Sequence, residues 1–169
     1  ERLVELMGGK DRFSGMLDSL FILELEDRHI EANEDITRDG IIGLYVHGNE
    51  PAHHIPYLYN WTNDPWKTQE RVRMICDTMY ADSPDGLCGN DDCGQMSAWY
   101  IFSAVGFYPV CPGSEDYAIG SPLVKSAVID LGRRRNLEVV VENQSKENVY
   151  VQEVFLNGRK LEGWQFSHR

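Results

Sequence analysis

Two short acidic runs are the places in this sequence where residue types and spacing allow chemistry. The first is Gly89-Asn90-Asp91-Asp92-Cys93-Gly94-Gln95-Met96-Ser97, which sets adjacent carboxylates between glycines just before an apolar stretch. The second is Gly48-Asn49-Glu50-Pro51-Ala52-His53-His54-Ile55-Pro56-Tyr57-Leu58-Tyr59-Asn60, which carries a carboxylate, an amide, two histidines and two tyrosines. Carboxylates serve as general acids and bases on sugars. They also bind hard cations such as calcium. Polar groups beside aromatic faces suit a sugar pocket.

Each residue also has a structural alternative. Asp91 is placed to cap the helix expected after it, a position that favours aspartate. Asp91 and Asp92 together also fit a solvated acidic loop. Asn90, Asp91, Asp92 and Gln95 form an oxygen-rich set, but without the spacing of an EF-hand loop. On a helix, His53 and His54 diverge by about 100° and cannot chelate one ion together. A structural pair with one ring packed inside is the alternative. Trp61, Trp66 and Trp99 are sugar platforms or core residues. The four cysteines, Cys76, Cys88, Cys93 and Cys111, match no strong zinc pattern. Cys88 and Cys93 are spaced for a small disulfide loop or for free thiols.

The elements that must position these residues fall into two zones. Helices are expected from Leu3 to Met7, across Phe13, Met16, Leu17, Leu20 and Phe21, and after Asp64-Pro65, an N-cap followed by proline at the first helical position. Val72, Ile75, Cys76 and Met79 put one apolar stripe on that last helix. Glu31 to Asp39 is an acidic loop, Ile41 to Val46 an apolar stretch, and His53 to Asn60 an aromatic segment open to helix. Met96 to Val105 is apolar on almost every side and predicts a buried helix ended by Gly106. Val124–Leu131, Leu137–Val141 and Val149–Leu156 then read as strands, with Asn157-Gly158 as a hairpin turn. So few strands bury little alone, so they are expected to pack on something else.

Composition narrows the function. With 42% hydrophobic and 11% aromatic residues, the 169-residue chain is globular rather than disordered. A net charge of −11, with Arg133-Arg134-Arg135 as the densest basic cluster, excludes phosphate-driven nucleic-acid binding. No apolar run reaches the length of a membrane span. The opening Glu1-Arg2-Leu3-Val4-Glu5-Leu6-Met7 lacks the features of a signal peptide and reads as the interior of a longer protein.

The runs Gly48–Asn60, Pro65-Trp66-Lys67-Thr68-Gln69-Glu70-Arg71-Val72-Arg73 and Gly89–Val110 together resemble the family 92 glycoside hydrolases, which are exo-acting, calcium-dependent, inverting α-mannosidases. Glu5-Leu6-Met7-Gly8-Gly9, Val149-Tyr150-Val151-Gln152 and Leu156-Asn157-Gly158 are similar too, in the same order. The resemblance implies an α+β chain from the C-terminal part of an enzyme with an N-terminal β-sandwich and an (α/α)6 barrel. Residues 1–112 would be the last barrel helices. Residues 113–169 would be strands packing on a sandwich outside this chain. It implies Asp92 as general base, with Asp91 as helper. Asn90 stands where some relatives carry a second acid. Asn49 and Glu50 match the segment lining the sugar pocket and the calcium site, and His53 is a further substrate-binding candidate.

The expected partners are mannose-containing glycans, as in N-glycan processing, and the remainder of the parent chain. Secreted or periplasmic placement follows from the family. The general acid is expected upstream of Glu1, so residues 1–169 alone are expected to be inactive. A catalytically inactive carbohydrate-binding or scaffold module derived from such an enzyme is the alternative, and a retained acid motif upstream would separate the two.

Overall fold

In the computed structural model, which describes residues 1–24, 26, 28 and 37–168, the chain is mixed α and β. Helix α1, Arg2–Leu6, ends at Gly8 and Gly9, whose φ values of +90° and +100° turn the chain into α2, Lys10–Ile22. The helical spacing read from the sequence is the buried face of α2: Phe13, Leu17 and Phe21 are in the core, and Met16 and Leu20 pack beside them. Residues 31–36 of the expected acidic loop lie outside the described residues.

The apolar stretch from Ile41 forms a small hairpin, β1 (Ile41–Ile42) against β2 (Tyr45–Val46). The aromatic segment after it is a 3₁₀ helix, Ile55–Trp61. Helix α3, Pro65–Thr78, starts as expected with proline in its first turn. Its stripe of Val72, Ile75, Cys76 and Met79 is buried. Asp64, however, makes no capping bond. Its carboxylate accepts from Ser14 Oγ at 2.7 Å and pairs with Lys67 at 3.4 Å, tying α3 to α2.

Helix α4, Gln95–Val105, ends at Gly106 with φ +109°. It is less enclosed than its composition suggests. Met96, Trp99 and Ser103 are buried, while Ile101 on the opposite face is 62% exposed, with no element among the described residues covering it.

The strands are partly as expected. β5 (Ser126–Asp130) and β6 (Asn136–Val140) form an antiparallel hairpin with Ile129 opposite Leu137. On its other face Val128 and Val140 are exposed. Asn157 and Gly158, both at positive φ, turn β7 (Phe155–Leu156) into β8 (Arg159–Lys160). The expected long strand from Val149 shortens to those last two residues. Instead of joining a ladder, Val149 accepts a bond from Ser121 Oγ at 2.6 Å, and the Val151 N–H donates to Gln69 Oε1 at 2.8 Å.

A three-stranded sheet was not anticipated: β3 (Phe107–Tyr108), β4 (Asp116–Ile119) and β9 (Gln165–Ser167), antiparallel in that order. Its strands are too short to show periodicity, and they come from both sides of position 112. Phe107, Tyr117 and Phe166 pack their rings together across it.

Two side chains on successive turns of α3 hold the helical and strand parts together. Gln69 takes the Val151 amide. Arg73, 5% exposed, donates to Pro122 O at 2.7 Å, Ser121 Oγ at 3.0 Å and Ser145 O at 3.2 Å. A buried guanidinium whose partners are neutral oxygens is costly to leave half-paired. Replacing Arg73 with leucine should therefore lower stability by about 2–4 kcal/mol, since it orphans those oxygens. Urea denaturation of the wild type and the variant checks the magnitude.

Candidate functional site

Backbone contact, not side-chain contact, brings the two acidic runs together. A Cβ on Gly89 would lie 2.6 Å from the Gly48 carbonyl oxygen, and one on Gly48 would lie 2.7 Å from that of Cys88. Gly40 meets the same Cys88 oxygen at 2.7 Å. Only glycine fits where backbones approach this closely. The segment bearing Asn49 and Glu50 is thereby seated on the segment that leads to Asn90, Asp91 and Asp92.

The Asp92 loop has unusual geometry. Asp92, Cys93 and Gly94 are consecutively left-handed, with φ of +42°, +59° and +91°. Such φ values are uncommon for residues with a Cβ, and aspartate is among the more tolerant. The loop is fixed to α4 by Asp91, whose Oδ1 accepts the Ser97 N–H at 2.9 Å. Its carbonyl accepts those of Gly94 and Met96 at 3.1 and 3.3 Å. Of the roles open to Asp91, the helix cap is the one it makes here. Asn90 and Asp92 are exposed, and the Asp92 carboxylate carries no hydrogen bond within the described residues.

Glu50 opens a 3₁₀ turn, Glu50–Ala52. Its Oε1 is buried and has no hydrogen-bond partner among the described residues. A buried carboxylate oxygen without a donor is costly unless something outside the chain engages it. Hard oxygen is the donor type calcium takes, and calcium needs six to eight of them, about 2.3–2.6 Å away. Among the described residues no three His, Cys, Asp or Glu side chains converge on one point, so a calcium held by Glu50 would need further oxygen ligands from outside them. Asn49, next to it, is exposed.

His53 is not presented with these groups. It is 1% exposed, and both ring nitrogens are engaged. Nε2–H donates to the His47 carbonyl at 2.9 Å, and Nδ1 accepts from the Gln95 amide at 3.2 Å. Gln95 also donates to Tyr108 Oη at 3.2 Å, so it turns inward and leaves the oxygen-rich set in which the sequence placed it. The packed-ring alternative is the one realised. Trp99 is fully buried, its indole N–H donating to the His53 carbonyl at 2.9 Å, so it is a core residue rather than a platform. Trp66 is 44% exposed beside Tyr150. All four cysteines are free thiols. Burial pushes Cys76 up to about 12 and Cys88 up to about 11.

His47, Tyr45 and Tyr80 did not stand out in the sequence. The Tyr80 O–H donates to the Met96 carbonyl at 3.1 Å, so its oxygen accepts His47 Nε2–H at 2.7 Å. His47 Nδ1 then accepts the Tyr45 O–H at 2.7 Å. This assigns a neutral tautomer to a fully buried ring stacked on His53 at 4.7 Å. Tyr45 and His47, two apart in an extended segment, share one side, and that period was the available clue.

All 169 residues match the family model described as the glycosyl hydrolase family 92 catalytic domain. The structure is similar to that of a family 92 α-mannosidase from Bacteroides thetaiotaomicron, at 46% identity and a TM-score of 0.83 over 95% of this chain and 21% of that one. In complex with mannoimidazole the same enzyme gives a TM-score of 0.85. A family 92 inverting mannosidase from the same organism matches at 37% identity and a TM-score of 0.79, over 98% of this chain and 23% of that one. A curated relative described as an uncharacterized secreted glycosidase, from Arthroderma benhamiae, is 29% identical over 94% of this chain. The chain spans 18% of that relative's length and 21–24% of the solved structures'. No helix among the described residues is long and apolar enough to cross a membrane.

The buried ring of His47 makes the region acid-sensitive. Burial, helped by the neighbouring His53, pulls its pKa from 6.5 to about 3. Burial lowers His53 in the same direction, against the bond to the His47 carbonyl. The folded value lies below the unfolded one, so the unfolded chain binds more protons between them. The stabilisation is complete above about pH 6.5 and is lost as pH falls toward 3. Between pH 7 and pH 5 the wild type should lose about 1–2 kcal/mol more stability than a His47→Gln variant. Denaturant titrations of both proteins at the two pH values make the comparison.

Proposed function

The chain belongs to glycosyl hydrolase family 92, and from that premise we propose that it is part of an exo-acting α-mannosidase that hydrolyses terminal α-mannosides of glycans with inversion. One observation carries this. Gly48 and Gly89 set a buried, unpartnered Glu50 oxygen and an exposed, unbonded Asp92 carboxylate on two segments in backbone contact. The mannosidases to which the chain is similar give the substrate class.

Inversion needs a carboxylate that activates water on the face opposite the leaving group, about 6.5–9.5 Å from the acid that protonates the leaving oxygen. Asp92 is the base in this scheme. It takes a proton from water as the water oxygen bonds to the anomeric carbon and the glycosidic bond breaks. The general acid comes from outside this chain. Asp91 acts through the loop, holding Asp92 by capping α4. Asn49 and Glu50 line the sugar pocket, with Glu50 as a calcium ligand, and Asn90 lies at its edge. Calcium, when bound, would engage hydroxyls of the terminal mannose and favour a flattened ring.

Helices α1 to α4 belong, in this proposal, to the end of an (α/α)6 barrel, and the β5–β6 hairpin packs on a sandwich domain. The exposed apolar residues Leu6, Ile22, Ile101, Val128 and Val140 support it, since faces of that kind normally meet a partner. Extracytoplasmic placement is supported by the secreted relative.

In the full-length enzyme, Asp92→Asn should lower kcat by about 10²–10⁴-fold with a much smaller change in KM. Removing calcium with EGTA should abolish hydrolysis of an aryl α-mannoside, and added calcium should restore it. Near-normal turnover of Asp92→Asn removes Asp92 from the mechanism. Recovery with zinc but not calcium removes the oxygen-ligand assignment.

A further inference from the structure

Residues 47 and 53 bracket the segment that bears Asn49 and Glu50. Residues 95 and 96 follow directly on the loop that bears Asp92. Two lines of hydrogen bonds join these brackets. On one, the Gln95 amide donates to His53 Nδ1 at 3.2 Å, and His53 Nε2–H donates to the His47 carbonyl at 2.9 Å. On the other, His47 Nε2–H donates to Tyr80 Oη at 2.7 Å, and the Tyr80 O–H donates to the Met96 carbonyl at 3.1 Å. The contact of Gly48 with Gly89 is a third attachment.

We propose that His53, Gln95 and the His47–Tyr80 pair are positioning residues whose clamp sets Glu50 against Asp92, an inference that rests on the site reading above. Each attachment grips a separate point of the two segments, so losing one leaves them free to pivot about the others. His47 and His53 are sealed from water at 0% and 1% exposure, so the two rings at the centre of these lines are shielded from solvent. The two histidines lie in the core with Tyr80 and Gln95 partly buried beside them, and all four act through the loops rather than on the sugar. A group that holds the sugar and a base that activates water tolerate little relative movement: a misplacement of about 1 Å can cost about 10²-fold in rate.

The test uses two near-isosteric variants in the full-length, calcium-loaded enzyme. Gln95→Met removes the amide donor, and Tyr80→Phe removes the hydroxyl. Each folded variant should lose about 10–100-fold in kcat with KM within about threefold of wild type, because the sugar-binding groups remain while the water-activating geometry is lost. The half-saturating calcium concentration should rise in parallel. A merely structural role would lower the melting temperature and leave kcat per folded molecule unchanged, and that result overturns the clamp. If one variant fails to fold, the other decides. If neither folds, the residues are fold determinants and the proposal is wrong. Asp92→Asn is assayed alongside. If it turns over normally, the site reading fails and takes the clamp with it. If it is inactive while Gln95→Met and Tyr80→Phe are normal, only the clamp fails.

Discussion

The backbones of Gly48 and Gly89 lie so close that a methyl group at Gly89 would overlap the Gly48 Cα at 2.7 Å. Gly40 and Gly48 are held just as tightly against the Cys88 carbonyl. None of these three glycines is at positive φ, so their role is close approach rather than backbone freedom. Because the segments touch through their backbones, how closely they approach at this point is set without a side chain. The left-handed run from Asp92 to Gly94 then turns the chain into α4, and the Asp91 cap holds that turn in place.

Beneath this contact lies a buried polar layer, an expensive thing for a small core to contain. It is tolerated because its donors and acceptors match. Tyr45, His47, Tyr80 and the Met96 carbonyl form one chain of bonds, and His47, His53, Gln95 and Tyr108 form another. Both histidines must be neutral for the pattern to work, which is what burial enforces on them. A core of leucines would hold the same volume without fixing which atom faces which. Directional bonds specify one arrangement, and a site whose groups must stay in register benefits from that.

Helix α3 connects this layer to the rest of the chain. Its apolar stripe packs into the core. Gln69 and Arg73, on adjacent turns, bond the backbone of segments that follow the helices in sequence. The Val151 N–H bonded to Gln69 is thereby withheld from a strand ladder, and no strand forms between Val149 and Phe155. The exposed apolar residues on α4 and on the β5–β6 hairpin show which faces the chain leaves uncovered. The solved relatives are four to five times its length.

Local sequence was enough to determine the elements whose cause is local. The stripe on α3, the glycine ends of α1 and α4, the Asn157-Gly158 turn and the pairing-prone segments around Ile129 and Leu137 follow from periodicity and backbone preference. The two acidic runs, and the family they resemble, were also legible, because their residue types are unusual in close order. What was not legible is whether Asp91 caps the helix or joins Asp92 in a solvated loop, and only the bond to Ser97 decides it. The short strands of the β3–β4–β9 sheet were likewise invisible, being defined by partners far away in sequence. So was which histidine of the pair packs its ring inside, and with it the inward turn of Gln95, since both depend on Tyr108 and His47 lying beside them. The sequence by itself determined which residues are able to do the chemistry. Only the tertiary structure decided which of them face outward and which are held in the core, because that choice depends on contacts between segments remote from one another along the chain.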